Sequence, residues 1–296
     1  MEQLTVTSRI NSYAQYQKKL DDYKNHIIKM MIGKKGQPIA CHVMIVSGDK
    51  GVGKTYTAER ILENQTIRNY QVVNSSMSAV QLYKFLWEHN DAIIVLDDVN
   101  SILQDKKDGA SLLKACTETK HIRKLSWQKQ NHNCIPVHMH CPKDNKAIQD
   151  KMDDIALRNP KLMKQKEENK LFPDMFYFTG ALIILTNKPL KEIDKYTEGA
   201  VSNRGWHQEM LFTIDGAIDL IKNSAGKMKT FNDIPIKATN IKKAISFLTS
   251  KAAYKFYNET GKLPTLRTLG KISLEYEMGN KVDHDTLDNN TEKPAY

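Results

Sequence analysis

The chain has few cysteines, no long apolar run and no apolar leader. Four cysteines in 296 residues (Cys41, Cys116, Cys134 and Cys141) are too few for a disulfide-stapled fold, so reduced thiols are expected. No run of 18 apolar residues is present, which argues against a transmembrane helix. The N-terminal stretch MEQLTVTSRINSYAQYQKK lacks the apolar centre of a secretory signal. These absences predict a cytoplasmic protein that makes no membrane contact.

Acidic residues are outnumbered, since 34 Asp and Glu against 44 Lys and Arg give a formal net charge of +10. Basic residues concentrate in residues 18–35, 120–129 and 222–251. Lys and Arg that neutralise phosphates release condensed counterions, so this balance favours a polyanionic partner. A basic surface without a specific partner is the alternative. Hydrophobic and charged contents of 40% and 26% are ordinary for a globular protein and exclude a largely disordered chain.

Short apolar runs alternate with helical patterns from residue 41 onward. The runs CHVMIVS, AIIVLDD and ALIILTN are nearly continuous in apolar residues, as strands buried on both faces are. Between them, KTYTAERILEN and MSAVQLYKFLWEH have the spacing of helices. The alternation predicts an α/β fold with a parallel central sheet, and EMLFTI at 209–214 is predicted as its last strand.

Changes in composition divide the chain into four predicted parts. Residues 1–39 form an N-terminal helical segment, and residues 40–214 form the α/β core. The core contains an irregular insert at about 119–179. The pattern turns all-helical at 215–278, which predicts a small domain here called the lid, and an acidic tail at 279–296 is predicted to be disordered.

The motif GDKGVGKT lies between a predicted strand and a predicted helix and fits G-x-x-x-x-G-K-[ST]. Its glycines let successive backbone N–H groups point at a phosphate, and the helix N-terminus adds partial positive charge. Lys54 is expected to reach the β and γ phosphates of a nucleotide, and the Thr55 hydroxyl to ligate Mg²⁺. The predicted nucleotide-binding residues are Gly48, Asp49, Lys50, Gly51, Val52, Gly53, Lys54, Thr55 and Tyr56.

Two aspartates follow the apolar run IIVL. Asp97 comes first and ends a buried strand at the sheet edge where ligands of open α/β folds bind, so it is the predicted Mg²⁺ partner. Asp98 faces the other way at the strand end and is the candidate to polarise an attacking water. A capping or solvated acid is the alternative for Asp98.

Taken together, GDKGVGKT, IIVLDD and ILTN resemble the AAA+ family of ring-forming P-loop ATPases. In detail the chain is similar to the small AAA+ ATPases encoded by tailed bacteriophages, over roughly residues 40–275. The resemblance implies an AAA+ core followed by a helical lid, binding and hydrolysis of ATP with Mg²⁺, a homo-oligomer, and a location in the host cytoplasm. A phage-encoded protein partner is a further possibility that it implies.

Three polar residues match functional positions of that family. Asn187, at the end of IILTN, matches the first sensor, which orients the lytic water. Arg204 in VSNRG matches the arginine finger that one subunit presents to the nucleotide of its neighbour. Arg267 in PTLRTLGKI matches the second sensor, early in a lid helix that Thr265 could cap. For each of them, an ordinary turn or surface residue is the alternative.

The sequence departs from the family at Asp98, where most members carry Glu. The shorter side chain withdraws the carboxylate by about one C–C bond, ~1.5 Å. A misplacement of about 1 Å can cost roughly 100-fold in rate. Either the backbone compensates, or hydrolysis is slow, or another residue assists.

The insert contains two further candidate sites. HNCIPVHMHC holds His132, Cys134, His138, His140 and Cys141, which could coordinate zinc, although the spacing fits no common zinc signature and an ordinary hairpin is favoured.

The insert also mixes cations with an aromatic ring, a combination that suits a phosphate backbone and a stacked base. The candidate nucleic-acid contacts are Lys120, Arg123, Lys124, Trp127 and Lys129, and a solvated hairpin with Trp127 packed inward is the alternative.

The function predicted from these features is an ATP-hydrolysing AAA+ motor, oligomeric and acting on nucleic acid in phage replication, recombination or packaging. Two alternatives remain open. One is an ATPase that remodels or loads a protein partner, and the other is a nucleotide-gated scaffold with slow turnover, which the short side chain of Asp98 favours.

Overall fold

The computed structural model describes residues 9–34, 37–127, 133–136, 144–168, 171–199, 201–291 and 293. A five-stranded parallel sheet forms its centre, in the order β2-β3-β8-β1-β9. Its strands are β1 (Val43–Gly48), β2 (Tyr70–Val73), β3 (Ile93–Asp97), β8 (Ala181–Thr186) and β9 (Trp206–Met210). The predicted α/β fold with a parallel sheet is confirmed. None of the helices described is long and apolar enough to cross a bilayer.

The three central strands are apolar on both sides because helices cover both faces of the sheet. Along β1, Val43 and Ile45 belong to one buried cluster, whereas Met44 and Val46 belong to the other. The covering helices are α2 (Lys54–Glu63), α3 (Ala79–Glu88), α4 (Asn100–Gln104), α5 (Asp108–Cys116) and α8 (Leu190–Thr197). All five strands end at one edge, so the loops that follow β1, β3 and β8 meet there.

The last strand of the sheet begins three residues and ends four residues earlier than predicted. β9 pairs in parallel with β1 from Met44 opposite Trp206 to Gly48 opposite Met210. Its sequence WHQEM is largely polar because an edge strand pairs on one side only, and the apolar run that follows is not part of the strand. The apolar run therefore shifted the predicted strand toward the C-terminus, with only Glu209 and Met210 in common with β9.

The N-terminal segment packs against the core. Helix α1 (Tyr13–His26) continues into a π-helical turn, Ile27–Ile32, and contacts α2, β9 and the first lid helix. Its buried side chains, Tyr16, Tyr23 and Ile27, join the same cluster as Met44 and Val46 of β1. The segment is thus part of the core layer on that face of the sheet.

The insert is more regular than predicted. Strand β4 (Arg123–Ser126) pairs antiparallel with β7 (Met175–Phe178), and β5 (Cys134–Ile135) pairs with β6 (Phe172–Pro173). Helices α6 (Asn145–Leu157) and α7 (Pro160–Glu167) lie between β5 and β6. The strands are short and paired at long sequence separation, which hides them from local patterns.

The lid is helical with one hairpin. Its elements are α9 (Ile214–Ser224), a 3₁₀ turn (Ala225–Lys227), β10 (Thr230–Phe231), β11 (Ile234–Pro235), α10 (Ala238–Leu248), α11 (Lys251–Thr260) and α12 (Leu266–Glu277). These helices enclose a third buried cluster, separate from those on the sheet.

Part of the expected disordered tail forms an ordered helix. Helix α13 (His284–Asn290) packs on α12, with Leu287 fully buried in the lid cluster. The Thr268 hydroxyl donates to the carbonyl of Asn290 at 2.8 Å, and Lys262 pairs with Asp288 at 2.7 Å. The acidic composition reflects the solvent side of this short helix, whereas a single leucine anchors it.

Candidate nucleotide-binding site

The loop from Gly48 to Gly53 joins β1 to α2 in a conformation that needs glycine. Gly48, Gly51 and Gly53 have φ angles of +136°, +67° and +87°. A Cβ atom on Gly48 would lie 2.2 Å from the carbonyl oxygen of Met210, so a larger residue would displace β9. The sequence motif thus adopts the curled loop whose backbone N–H groups can surround a phosphate.

Lys54 is buried and held by three oxygens. Its Nζ donates to the carbonyls of Gly48 at 2.9 Å and Asp49 at 2.8 Å, and to Oδ1 of Asn187 at 2.9 Å. Burial lowers the pKa of Lys54 to about 8, although the carboxylates of Asp98, Asp49 and Asp97 oppose the shift. The ammonium group therefore lies at the sheet edge, bonded to neutral groups that a phosphate can replace.

Thr55 and Asp97 lie side by side. The Thr55 hydroxyl donates to Oδ2 of Asp97 at 2.8 Å. Burial raises the pKa of Asp97, and the Thr55 hydrogen bond partly opposes it, while the charge of Asp98 raises it further. A hydroxyl beside a half-buried carboxylate, with a second carboxylate nearby, is a set of hard oxygen donors that a Mg²⁺ ion would suit. These two residues could therefore hold the metal.

Asp98 is bonded to Asn187. The backbone of Asp98 is left-handed, with φ +50°, and its N–H donates to the carbonyl of Leu185 at 2.9 Å. Its carboxylate accepts the Asn187 side-chain amide at 2.7 Å and the Asn187 backbone N–H at 3.3 Å. Since Asn187 also accepts from Lys54, the three residues form one hydrogen-bonded chain across the sheet edge.

A cleft of about 620 Å³ opens between this edge and the lid. Its core side is formed by residues 50–56 together with Asp97, Asp98 and Asn187. The lid contributes Met228, Phe231, Leu266 and Arg267. Such a volume is typical of small-molecule sites. Gly48 and Asp49, also predicted to bind nucleotide, are not among the lining residues; their carbonyls hold Lys54, and the Asp49 carboxylate accepts the N–H of Phe212 at 2.8 Å.

Arg267 reaches the cleft from the start of α12. Thr265 is the N-cap of this helix, accepting from the N–H of Thr268, so that part of the prediction is confirmed. The helix begins against the phosphate loop, because a Cβ on Gly51 would lie 3.0 Å from Oγ1 of Thr265 and 3.6 Å from Cβ of Arg267. The lid thus delivers one exposed arginine to the site.

Arg204 lies elsewhere on the same chain. It ends the 3₁₀ turn Ser202–Arg204 and is exposed, and its Nη1 donates to the carbonyl of Lys114 at 2.6 Å. It is not among the residues that line the cleft.

Two tyrosines that the sequence analysis did not single out support the phosphate loop from α1. The Tyr16 hydroxyl donates to the carbonyl of Val52 at 2.9 Å, and the Tyr23 hydroxyl donates to the carbonyl of Lys54 at 3.1 Å. Burial raises the pKa of Tyr16 to about 12 and also raises the pKa of Tyr23, so both stay protonated as donors. A stripe of Tyr16, Leu20, Tyr23 and Ile27 on an otherwise polar helix is the signal that could have identified them.

Two of the candidate nucleic-acid contacts pack into the insert, Arg123 completely and Trp127 in part. Arg123 is 1% exposed, with its guanidinium 4.9 Å from the Phe178 ring centre and a hydrogen bond to the carbonyl of Gly180. Burial lowers its pKa to about 10. Trp127 packs inward, its ring 5.6 Å from that of Tyr83. The antiparallel pairing of β4 turns alternate residues inward, which a charge count does not register.

The remaining insert residues are divided between the surface and the part of the chain that is not described. Lys120 and Lys124 are exposed. Lys129 lies outside the described residues, as do four of the five candidate zinc ligands, His132, His138, His140 and Cys141. Cys134 begins β5, where burial raises its pKa to about 11. The zinc hypothesis therefore stays a prediction.

Comparison with known proteins agrees with the nucleotide site. Residues 39–135 match the family nSTAND3, described as Novel STAND NTPase 3. An uncharacterised 36.7 kDa protein from the nrdC-mobD intergenic region of Enterobacteria phage T4 is 33% identical over 89 residues. That alignment covers 28% of this chain and 27% of the T4 protein, so only about a quarter of the relative is matched.

Solved structures resemble the chain more distantly. The Aeropyrum pernix ORC1 protein, solved in complex with DNA, aligns over 92% of this chain and 63% of its own at 12% identity, with a TM-score of 0.43. The Thermotoga maritima RuvB Holliday junction branch migration motor aligns over 95% and 71% at 13% identity, with a TM-score of 0.41. The phosphate loop, the sheet order and the NTPase family match together confirm the predicted resemblance to P-loop ATPases, including a phage-encoded relative.

Proposed function

We propose that the protein is a Mg²⁺-dependent ATPase whose subunits share sites in an oligomer and act on nucleic acid. The observation that carries the ATPase proposal is the hydrogen-bonded chain from Lys54 through Asn187 to Asp98, placed beside the Thr55–Asp97 pair in one cleft. A phosphate-binding cation, a metal-binding pair and a water-orienting pair thus meet at one sheet edge.

Each residue has a role in this proposal. The loop N–H groups and Lys54 bind the β and γ phosphates, and Lys54 exchanges its bond to Asn187 for phosphate oxygens. Thr55 and Asp97 hold Mg²⁺, which neutralises charge on the phosphates when bound. Asn187 orients a water, Asp98 accepts its proton, and Arg267 contacts the γ phosphate from the lid.

The hydrogen bonds between Asp98 and Asn187 also support slow hydrolysis of ATP. A carboxylate that already accepts two N–H groups must exchange one of these hydrogen bonds before that oxygen can accept a proton from water. A nucleotide-gated scaffold with slow turnover is therefore the second candidate function, and it differs from the first only in rate.

Oligomerisation and the nucleic-acid target rest on separate features. Arg204 is exposed and outside its own cleft, as a residue that acts on a neighbouring subunit must be. The net charge of +10 favours a polyanion, and a phage-encoded protein partner is the alternative target. Lys120 and Lys124 are the insert residues exposed for such contact.

A pair of neighbouring substitutions tests the ATPase proposal. Asp97→Asn should weaken Mg²⁺-dependent ATP binding, whereas Asp98→Asn should leave binding within a few-fold and lower kcat by about 100-fold, because a general base contributes ~10²–10⁴. Steady-state phosphate release and equilibrium nucleotide binding give both quantities. Lys54→Ala is the background control, and turnover equal to the wild type in that variant would overturn the proposal.

Stimulation of ATPase turnover by DNA tests whether nucleic acid is the target. We expect single- or double-stranded DNA to raise ATPase activity at low salt, and the effect to fade at high salt, because phosphate contacts release counterions. An ATPase that neither polymer stimulates at low salt would remove nucleic acid as the target and favour a protein partner.

A further inference from the structure

The lid side of the cleft differs chemically from its core side. The core contributes charged and polar groups, among them Lys54, Asp97 and Asn187, whereas Met228, Phe231 and Leu266 give the lid an apolar wall beside Arg267. Phosphates and metal need the first kind of surface and gain nothing from the second. The apolar wall is therefore suited to another part of a ligand.

Phe231 is positioned in that wall by a tight hairpin. It precedes the two-residue turn of the β10–β11 hairpin, in which Asn232 and Asp233 have φ angles of +49° and +62°. Positive φ at both positions is typical of the tight type I′ turn. The N–H of Ile236 also donates to the carbonyl of Lys229 at 3.0 Å, which extends the hairpin beyond its two strands.

The ring of Phe231 lies against α12 at a glycine. A Cβ atom on Gly270 would come within 2.2 Å of the ring, so only glycine lets the aromatic ring pack onto the helix at this point. Gly270 lies three residues after Arg267, about 4.5 Å along the helix axis. One helix thus positions both the arginine at the phosphate loop and, one turn farther on, the aromatic wall.

We propose that Phe231, with Met228, is the nucleobase-stacking wall of this cleft and selects a purine. The inference rests on the proposed function, because it assigns the base end of the same nucleotide site. Aromatic side chains stack on the π-face of any base, and larger bases stack better. The described wall residues carry no strong hydrogen-bonding group on their side chains, so ATP and GTP bind with similar affinity and pyrimidine triphosphates bind more weakly.

The test compares a nucleotide with its phosphates alone. Binding of ATP, GTP, CTP and inorganic tripolyphosphate, each with Mg²⁺, is measured by calorimetry on the wild type, Phe231→Ala and Phe231→Tyr. Phe231→Ala weakens ATP by about 5- to 100-fold, the range for loss of one base stack, and leaves tripolyphosphate unchanged. Phe231→Tyr keeps ATP binding near that of the wild type.

Phe256→Ala is the matched control, since this half-buried lid aromatic is not among the cleft residues. The inference is overturned if Phe231→Ala weakens ATP and tripolyphosphate equally, if it changes neither, or if the wild type binds ATP no more tightly than tripolyphosphate. The comparison of ATP with tripolyphosphate on the wild type needs no variant, so it does not depend on whether a variant folds. Failure of the proposed function is a different result, in which neither ATP nor tripolyphosphate binds the wild type.

Discussion

The two adjacent aspartates show how backbone conformation separates residues of the same type. Asp97 ends the strand in extended conformation and meets Thr55, whereas Asp98 turns into the left-handed region and meets Asn187. Asp tolerates positive φ better than most residues with a side chain. The aspartate found here, where the AAA+ resemblance would predict a glutamate, therefore fits a strand end at which φ is +50°.

Also at the residue scale, the lowered pKa of Lys54 predicts that the affinity for ATP depends on pH. Its pKa of about 8 in the free protein means that the ammonium loses its proton as pH rises through 8. Bound phosphates favour the charged form and raise that pKa, so binding takes up a proton above pH 8. We expect affinity for ATP to be constant near pH 7 and to fall by up to about tenfold per pH unit above 8, measured by calorimetry.

Lys54→Arg is the control for this effect, because arginine keeps its charge across the range. Its affinity for ATP can be weaker, but the decline above pH 8 should disappear. Equal pH profiles for the two proteins would contradict the assignment.

At the scale of elements, α1 supports the phosphate loop with side chains that do not line the cleft. Tyr16 donates to the carbonyl of Val52 in the loop, and Tyr23 donates to the carbonyl of Lys54, the first residue of α2. A buried carbonyl without a donor costs free energy, so these hydroxyls stabilise the curled loop conformation. The N-terminal segment is therefore a structural part of the site.

Tyr16→Phe and Tyr23→Phe should each lower the free energy of unfolding by about 1–2 kcal/mol and weaken ATP several-fold. The physical reason is the loss of one hydrogen bond to a buried carbonyl, with the ring packing kept. Urea denaturation and equilibrium nucleotide binding measure the two effects. Tyr13→Phe is the matched control on the same helix, and an equal loss in that variant would show that the effect is not specific to the loop.

At the scale of the whole molecule, one chain places its site residues in two separate locations. Arg267 lies in the cleft, and Arg204 is bonded to the carbonyl of Lys114 outside it. A single subunit therefore contains the candidate binding residues and one lid arginine in the cleft. The proposed finger requires a second copy.

Mixing variants tests that requirement. Arg204→Ala and Lys54→Ala subunits should each be nearly inactive alone, but their mixture should regain part of the ATPase activity, because an intact Arg204 from one subunit can face an intact Lys54 in the other. Phosphate release is measured over a range of mixing ratios. Absence of rescue in a mixture that chromatography shows to be assembled would contradict shared sites.

Sequence patterns were informative where local chemistry is constrained. The phosphate loop, the strand ending in Asp97 and the cap at Thr265 all lie where their motifs predicted. Sequence patterns failed where a segment packs against a strand or helix that is distant in the sequence. Arg123 and Trp127 have the composition of a binding surface, but β4 pairs with β7 some 50 residues away and buries Arg123, while Trp127, just after β4, is partly buried against the same core. Helix α13 was missed because one buried leucine leaves no periodicity to detect.

The sequence by itself determined the parallel α/β core and the phosphate-binding loop, because glycine spacing and continuous apolar strands allow few other structures. Tertiary structure alone decided which groups contact one another at and around the cleft. It placed Asp98 on Asn187, Tyr16 beneath Val52 and Phe231 on Gly270. Each of these contacts joins residues at least 36 positions apart, and such contacts form only when the sheet and lid have packed.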